Sequence, residues 1–358
     1  MKTTRDSKWG AVTAGRCSGA ELRHVMASFG DGGPPNLHGR VAEVARRTGA
    51  QVVHEVLFGF DGGAEGRPLT RVGDVPAYPA EAAAVHATLV KGGNGGARVR
   101  PGIGSASVAR WRSDAAEFCL LSNVQAADMG GSSESQARQV CERIEADLQA
   151  AGMAMRFVVR TWFYLDRITD WYETFNRVRT EFYRNRGMTD GHAPASTGVG
   201  AALSHGKAVV ADVLAVRPTG GGVTVAPVTS PLQCPAQEYG SSFSRAVEIA
   251  GAGARTLLIS GTASIGADGR TVHPGDTSAQ IRRTLEVVEA ILESKRMGWN
   301  DVTRSVAYLA DIGERRLWER HRGDKGMSFP AAVTQCDICR RDLLFEIEVD
   351  ATTEEESE

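Results

Sequence analysis

The sequence predicts an α+β protein that contains two copies of one unit. Strand and helix patterns alternate regularly from about residue 116, and the same order of elements returns from about residue 256. Matching positions in the two copies are separated by a constant 144 residues. These pairs are Leu148 and Leu292, Arg160 and Arg304, Tyr164 and Tyr308, and Leu165 and Leu309. A register without gaps across helix and strand indicates a duplication.

The first copy is predicted to contain three strands and two helices. The strands cover residues 118–126, 157–165 and 208–216. Apolar residues at helical spacing predict a helix over 133–151, with serines available to cap it. A second amphipathic helix places four apolar side chains on one face: Trp171, Phe175, Val178 and Phe182.

The second copy repeats this order. Strands are predicted over 256–264, 301–309 and 343–351, and helices over 278–294 and around 312–322. We expect each copy to form a mixed β-sheet with two helices packed on one face.

The first 115 residues give a weaker pattern. They are rich in Gly and Pro and contain one clear strand candidate, residues 52–60. The glycine-rich segment 91–104 lacks the Gly-Lys-Ser/Thr ending of a phosphate loop, and no strong helix follows it. A flexible or turn-forming loop is therefore favoured.

Composition narrows the functional class. The net charge of −2 and the scattered basic residues give no reason to expect a nucleic-acid or membrane partner. No apolar run is long enough to span a bilayer, and no apolar segment follows the charged start. Six cysteines are too few for a disulfide scaffold in 358 residues, so we expect a reduced, cytoplasmic protein with a frayed acidic tail.

The repeated unit resembles the RidA (YjgF) family. LLISGTASIGADGRTVHPGDTSAQIRRTLEVVEAIL is similar to that family's opening strand, glycine turn and first long helix. DVTRSVAYL and VVRTWFYL resemble its central strand, and FEIEVDA resembles its closing strand. The resemblance covers roughly residues 118–351. It implies two fused RidA-like units, an N-terminal domain over 1–220 that includes an N-terminal extension and a C-terminal domain over 221–358.

One departure from the RidA pattern bears on activity. RidA imine deaminases carry an Arg directly after a Pro-Ala pair, where it holds the substrate carboxylate. Here the corresponding places read Pro330-Ala331-Ala332 and Pro194-Ala195-Ser196. The missing Arg argues against ordinary imine hydrolysis.

A narrower resemblance is to the chorismatases, and it rests on EYGSSFSRA (238–246) and CDICRRDLLFEIE (336–348). That family releases pyruvate from chorismate, in an active site between its two halves. The family's catalytic glutamate corresponds to Glu346. A Cys seven residues earlier, here Cys339, and a Gly after the Tyr of the linking motif, here Gly240, are typical of the subgroup that forms 3-hydroxybenzoate. The hydrolytic subgroup, which forms a dihydrodiol acid, tends to have Ala at both places.

The proposed chemistry requires a carboxylic acid that stays protonated near pH 7, because the methylene carbon of the enol ether must accept a proton. Glu346 lies among apolar residues, and burial would raise its pKa. Strand alternation places Glu346 and Glu348 on one face, where they could raise each other's pKa or one could be solvated. The alternative is a surface glutamate for Glu346 and a buried structural thiol for Cys339.

The two carboxylates of chorismate require cationic partners. Arg160 interrupts an apolar strand and is the first candidate, with an ion-paired or edge-strand arginine as the alternative. Arg245 and Arg340 lie next to the two motifs, and Tyr183 could donate a hydrogen bond or pack in the helix core.

No cofactor and no metal are expected. Cys336 and Cys339 form a Cys-x-x-Cys pair, but no second pair completes a zinc site, and the pair does not open a helix as redox pairs do. The rival functions are a RidA-like binder of small carboxylates without turnover and an enamine or imine deaminase. The expected partner is chorismate, and both a monomer and a homo-oligomer remain open.

Overall fold

The structure is a computed structural model, and it describes residues 4–6, 10–17, 20–28, 36–59, 68–75, 78–91, 96–189, 191–220 and 222–354. These residues form three six-stranded β-sheets and five α-helices. The predicted α+β class is confirmed.

The first sheet lies in the part of the chain for which the sequence predicted one strand. We call it the first unit. Its strands are β1 (Thr4–Asp6), β2 (Gly10–Cys17), β3 (Ala20–Ser28), β4 (Ala50–Phe58), β5 (Leu69–Val72) and β6 (Ala84–Lys91), and its helix is α1 (Leu37–Thr48). The predicted strand 52–60 corresponds to β4, and Phe60 lies outside the described residues.

The second unit is the first copy predicted from the sequence. Its strands are β7 (Arg98–Pro101), β8 (Ser107–Arg112), β9 (Ala116–Gln125), β10 (Val158–Leu165), β11 (Ala195–Gly200) and β12 (Val209–Pro218). Its helices are α2 (Ser133–Ala150) and α3 (Ile168–Arg184). Ser132 caps α2 by accepting a hydrogen bond from the backbone N–H of Ser135, as the serines before the helix predicted.

The third unit is the second predicted copy. Its strands are β13 (Thr224–Val228), β14 (Ala246–Gly251), β15 (Ala254–Ala263), β16 (Val302–Leu309), β17 (Ala332–Gln335) and β18 (Phe345–Glu354). Its helices are α4 (Thr277–Ser294) and α5 (Arg315–Asp324). Two helices on a mixed sheet are thus confirmed for the second and third units. The predicted boundary at residues 220 and 221 falls between β12 and β13.

The three sheets share one strand order, although only two of them were recognised as a repeat. The orders are β1-β2-β3-β6-β4-β5, β7-β8-β9-β12-β10-β11 and β13-β14-β15-β18-β16-β17. In each sheet one pair of strands is parallel: β4 with β5, β10 with β11, and β16 with β17. A β-bulge precedes the same position in all three sheets, and it aligns His54, Arg160 and Arg304. The first unit is therefore a third unit of the same strand topology, with one α-helix among its described residues.

The units close into a ring. In each unit the edge strand of the parallel pair contacts the third strand of the next unit: β5 contacts β9, β11 contacts β15, and β17 contacts β3. We call these three contacts the junctions.

Buried charges occupy the space between the sheets. Arg160 of the second unit pairs with Glu348 of the third unit at 2.9 Å, and Arg304 also pairs with Glu348. His54 of the first unit contacts Asp212 of the second unit at 2.9 Å between His54 Nε2 and Asp212 Oδ2. Removing one partner of such a pair leaves an uncompensated buried charge and typically costs about 3–5 kcal/mol. These pairs therefore help to hold the units in register.

The apolar core is divided between helix–sheet and sheet–sheet layers. α2 and α3 pack on the second sheet around Val140, Ile144, Phe163 and Phe175. Trp318 of α5 is completely buried in the corresponding cluster of the third unit. None of the helices in the described ranges combines the length and the hydropathy that a membrane span requires.

Candidate active site

A cleft of about 880 Å³ opens beside the junction of β11 and β15. Helix α3 of the second unit lines one side. The other side comes from the third unit, namely β15, the start of β18 and the segments that precede β14 and β18. Five of the residues selected from the sequence line this cleft: Gly240, Arg245, Cys339, Arg340 and Glu346. Motifs separated by about 100 residues in the sequence are thus brought together.

Glu346 stands at the start of β18, opposite Tyr308 of β16 and Ala263 of β15. The residue is only 5% exposed, so it is not a surface glutamate. Burial, and then the negative charge of Glu348, raise the pKa of Glu346 to about 8, against a smaller opposing effect of Arg160. A carboxyl with this pKa is mostly protonated at pH 7 and can act as a general acid.

Glu348 lies two residues further along the same face and has the opposite character. Burial alone would raise its pKa, but Arg304 and Arg160 outweigh this effect and hold the pKa of Glu348 below its usual value. Its carboxylate also accepts a hydrogen bond from Trp162 Nε1 at 3.1 Å. The two carboxyl groups therefore form one charged and one neutral group, and neither is solvated.

Arg160 does not reach the cleft wall. Its side chain is completely buried, and it donates from Nη2 to Glu348 Oε2 and Thr197 Oγ1, both at 2.9 Å. Its Nη1 donates to the carbonyl oxygen of Ile259 at 2.7 Å. β10 lies inside its sheet, between β11 and β12, so the observed environment is that of an ion-paired arginine and not of an edge strand.

Tyr183 is also absent from the cleft wall. It is buried in the cluster between α2, α3 and the second sheet, and burial raises the pKa of its phenol to about 12. Of the two alternatives for Tyr183, the structure places it in the helix core.

Arg245 and Arg340 both lie next to the Tyr239 ring, with their guanidinium carbons 5.3 and 5.5 Å from its centre. Arg245 donates from Nε and Nη2 to the carbonyl oxygen of Cys234, at 3.0 and 2.8 Å. Arg340 donates from Nη1 to the carbonyl oxygen of Gly269 at 2.8 Å. Neither arginine forms an ion pair with a carboxylate in the described part of the chain.

Arg179 of α3 is a further cation of the cleft, and it was not predicted from the sequence. It is buried and donates to Asn176 Oδ1, Ser241 Oγ and Ser196 Oγ at 2.7, 3.0 and 3.3 Å. Its Nε has no hydrogen-bond partner, and no carboxylate of the described residues pairs with it. The sequence feature that could have indicated Arg179 is its place one helical turn after Phe175, which puts a cation on the apolar face of α3.

The three arginines alternate with two aromatic rings along the cleft. Arg179 and Arg245 lie 5.9 and 5.5 Å from the centre of the Phe243 ring, and Arg245 and Arg340 both lie next to the Tyr239 ring. We call Arg179, Arg245 and Arg340 the cationic wall. Three guanidinium groups that form no ion pair within the described ranges provide binding positions for more than one carboxylate.

Cys339 and Gly240 complete the cleft. Burial, and then the negative charge of Glu346, raise the pKa of the Cys339 thiol to about 12, so this thiol is protonated at neutral pH. Gly240 has φ +85° and ends a short turn, Ala236–Tyr239. A Cβ at Gly240 would meet no atom within 4 Å, so the backbone conformation, and not crowding, favours glycine there.

Comparisons with known proteins place the sequence and the fold among known ones. The model of the endoribonuclease L-PSP family matches residues 122–216 and 237–353. A curated chorismatase from Streptomyces rapamycinicus is 33% identical to this chain over an alignment of 215 residues, and the match covers 53% of this chain. The match spans 63% of that relative's length, which is less than two thirds.

A crystal structure of a chorismatase superposes with a TM-score of 0.67. The superposition covers 95% of this chain and 99% of the other, at 22% sequence identity, and it therefore supports the fold. The predicted resemblance to the chorismatases and to the RidA-like units is confirmed. Since the family model matches more than half of the sequence, in the second and third units, the chain belongs to the endoribonuclease L-PSP family.

Proposed function

We propose that this protein converts chorismate into 3-hydroxybenzoate and pyruvate. The observation that carries the proposal is a buried carboxyl, Glu346, whose pKa is raised to about 8, in a cleft that also holds three arginines that pair with no carboxylate of the described residues. The similarity to a curated chorismatase supports the choice of substrate. A protein that only binds carboxylates would gain nothing from a protonated acid beside its cationic groups.

The first step is protonation of the methylene carbon of the enolpyruvyl ether by Glu346. The C=C electron pair forms the new C–H bond, and the carbon attached to the ether oxygen becomes an oxocarbenium centre. Glu346 becomes a carboxylate, which stabilises the positive charge beside it. Carbon accepts protons slowly, so holding the acid within reach of this carbon is the main contribution of the protein.

The ring hydroxyl next to the ether then displaces pyruvate. Its oxygen attacks the ether-bearing ring carbon, the C–O bond of the ether breaks with its electron pair, and the hydroxyl proton returns to Glu346. The bond between the oxygen of the resulting arene oxide and the carbon that carried the hydroxyl then breaks, and the oxygen gains a proton. The ring carbon that keeps the oxygen loses its proton, which gives 3-hydroxybenzoate. Neither water nor an oxidant is consumed, because the two products together contain the atoms of chorismate.

Substrate orientation follows from the cationic wall. The ring carboxylate and the side-chain carboxylate each require a charge-assisted partner, and Arg179 and the Arg245–Arg340 pair offer separate positions for them. The predicted carboxylate role of Arg160 is replaced in this proposal by Arg179. Arg160 acts from behind the cleft by keeping Glu348 ionised.

The choice between aromatic product and hydrolysis is assigned to Cys339 and Gly240. A protonated thiol at Cys339 can donate a weak hydrogen bond to a ring oxygen as the arene oxide opens. Gly240 lets the backbone take a left-handed turn at the cleft wall, which an Ala would strain.

Incubation of the pure protein with chorismate tests both parts of the proposal. We expect pyruvate and 3-hydroxybenzoate in equal amounts, measured by chromatography. If no pyruvate forms above background, the chorismatase assignment is wrong. If pyruvate forms with a dihydrodiol acid, the protein is a hydrolase.

Oxygen-18 water distinguishes the branches independently of product standards. Hydrolysis adds solvent oxygen to the oxocarbenium carbon, so the pyruvate carries the label when lactate dehydrogenase traps it immediately as lactate. Intramolecular attack leaves the ether oxygen in pyruvate, and we therefore expect unlabelled lactate.

A further inference from the structure

The Glu346 carboxyl occupies a space that a side chain on the facing strand would fill. Gly261 of β15 faces it, and a Cβ built on Gly261 would lie 2.0 Å from Glu346 Oε1 and 3.0 Å from its Cδ. Non-bonded carbon and oxygen atoms do not approach this closely. Gly261 is not among the residues with positive φ, so the lack of a side chain, and not backbone conformation, explains the glycine.

A β-bulge brings Gly261 to this position. The register between β15 and β18 shifts between Ile259 and Thr262, which turns the intervening residues towards the start of β18. Bulges redirect side chains and strand edges locally and often occur beside active sites. In this case the bulge opens a slot one side chain deep, and we call the space beside Gly261 the acid slot.

Hydrogen bonds from both units hold the bulge in place. Ser260 Oγ donates to the carbonyl oxygen of Ser244 at 2.5 Å and accepts from the backbone N–H of Ser196 at 2.9 Å. The Gly261 N–H donates to Thr197 Oγ1 at 3.1 Å. Since Ser196 and Thr197 belong to β11 of the second unit, the strand that carries Gly261 cannot move away from Glu346 without breaking contacts at the junction.

The second unit has a register shift at the corresponding place, but with a different backbone conformation, because Asn123 has φ +59° whereas Gly261 does not have a positive φ. There the register between β9 and β12 shifts between Val124 and Leu121, so Asn123 corresponds to Gly261. Val210 takes the place of Glu346, because it pairs with Gln125 as Glu346 pairs with Ala263. Where no carboxyl needs the space, the bulge carries a side chain.

We propose that Gly261 is a positioning residue: its missing side chain forms the slot that holds the Glu346 carboxyl in a dry position, directed at the substrate. The inference deepens the proposed function, since it concerns the acid of that reaction. A side chain at residue 261 and the Glu346 carboxyl would then compete for the same space, whether or not the protein releases pyruvate.

The first test uses the rate of pyruvate release. Gly261→Ala is expected to lower kcat by about 100-fold with little change in KM, since a displacement of about 1 Å at a reacting group has an effect of this size. Glu346→Asp should then raise kcat in the Gly261→Ala background, because one bond fewer withdraws the carboxyl by about 1.5 Å from the new Cβ. With Gly261 intact, Glu346→Asp should lower kcat.

If Glu346→Asp raises kcat in the Gly261→Ala background and lowers it with Gly261 intact, the Glu346 carboxyl and a side chain at residue 261 compete for the same space. If Glu346→Asp lowers kcat by the same factor in both backgrounds, the acid slot has no role and the proposal is overturned. Gly323→Ala in α5 is the matched control, because it adds a Cβ that meets no atom within 4 Å, and we expect its kcat to remain within about twofold of the unchanged protein.

The second test does not depend on turnover. Gly261→Ala should lower the melting temperature, and Glu346→Ala should restore it in the double variant to within a few degrees of Glu346→Ala alone. Both atoms within 3.0 Å of the new Cβ belong to Glu346, and the next atom, Thr197 Cγ2, lies 3.2 Å away and needs to move only slightly. If Gly261→Ala does not fold, the melting temperatures of the double variant and Glu346→Ala still give the answer. A double variant that melts well below Glu346→Ala overturns the proposal, even if the unchanged protein releases no pyruvate and the proposed function fails.

Discussion

Replacing Glu346 with Gln is expected to abolish pyruvate release and to stabilise the fold at neutral and alkaline pH. Gln preserves the shape of the side chain and can donate a hydrogen bond, but it has no proton to transfer to carbon. General acids typically accelerate a reaction by about 10²–10⁴-fold. We therefore expect kcat to fall by about 1,000-fold or more.

The pKa of Glu346 gives the pH dependence of the unchanged protein. With a pKa of about 8, about nine-tenths of the acid is protonated at pH 7, compared with about 0.3% at the usual value of 4.5. The rate should therefore stay nearly constant up to pH 7 and fall as the pH rises through about 8.

The same shift predicts the effect on stability. Between pH 4.5 and about 8 the folded protein holds the Glu346 proton more tightly than the unfolded chain. The free energy of unfolding therefore decreases as the pH rises through this window, by a contribution on the order of 3 kcal/mol at pH 7. Gln has no charged form, so the free energy of unfolding of the Gln variant does not decrease in this way as the pH rises.

Two measurements test the role of Glu346 as a buried, protonated acid. Pyruvate release gives kcat from pH 5 to 9, and urea unfolding at pH 5 and 8 gives the free energy of unfolding for both proteins. The stabilisation by Gln should be small at pH 5 and larger at pH 8. A Gln variant that retains more than about a tenth of the rate, or that is less stable than the unchanged protein at pH 8, would refute the role of Glu346 as a buried neutral acid.

Three further substitutions address the remaining assignments. Arg179→Met should raise KM for chorismate about 10–100-fold, since a lost charge-assisted hydrogen bond costs about 1.5–3 kcal/mol. The control variant Arg138→Met, on the exposed face of α2, should leave KM unchanged. Equal changes in KM for the two variants would contradict a binding role for Arg179. Cys339→Ala should shift the product towards the dihydrodiol acid, and an unchanged product ratio measured by chromatography would show that Cys339 does not control the branch. Arg160→Met should destabilise the protein by about 3–5 kcal/mol in urea unfolding, because it leaves Glu348 buried with one arginine fewer; a raised KM at unchanged stability would instead favour direct substrate binding.

The sequence predicted the second and third units well because their helices are long and strongly periodic. α2 and α4 have 18 residues each, and the offset of 144 residues aligns them without gaps. The first unit escaped detection because α1, with 12 residues, is the one α-helix in the part of the unit that the structure describes, and because His54 stands where the other units have arginine. A six-stranded sheet in that region depends on pairing with residues far away in sequence, which local patterns do not reveal.

The candidate site was predicted best where a motif could be recognised. Glu346, Cys339, Gly240, Arg245 and Arg340 all line the cleft. The alternation of a strand shows which side chains share a face of the sheet. It does not show what each face contacts when helices cover one face and another sheet covers the other.

Arg160 shows this limit, because its side chain points towards Glu348 of another unit. Arg179 was overlooked for the opposite reason. A cation on an apolar helix face is usually taken as the edge of the amphipathic stripe, and the serine and asparagine groups that hold Arg179 come from separate segments.

The ring of three junctions has a consequence for the number of substrate molecules that a chain can process. The position of Glu346 is Val210 in the second unit and Ala84 in the first, so only one junction among the described residues has an acid at this place. A ring of three separate, identical chains must carry every substitution three times, at all its junctions at once. Joining the units in one polypeptide removes that constraint, so one junction can specialise in chemistry while the other two are free to accumulate residues that strengthen the scaffold. Calorimetric titration should accordingly find one dicarboxylate per chain, and not three.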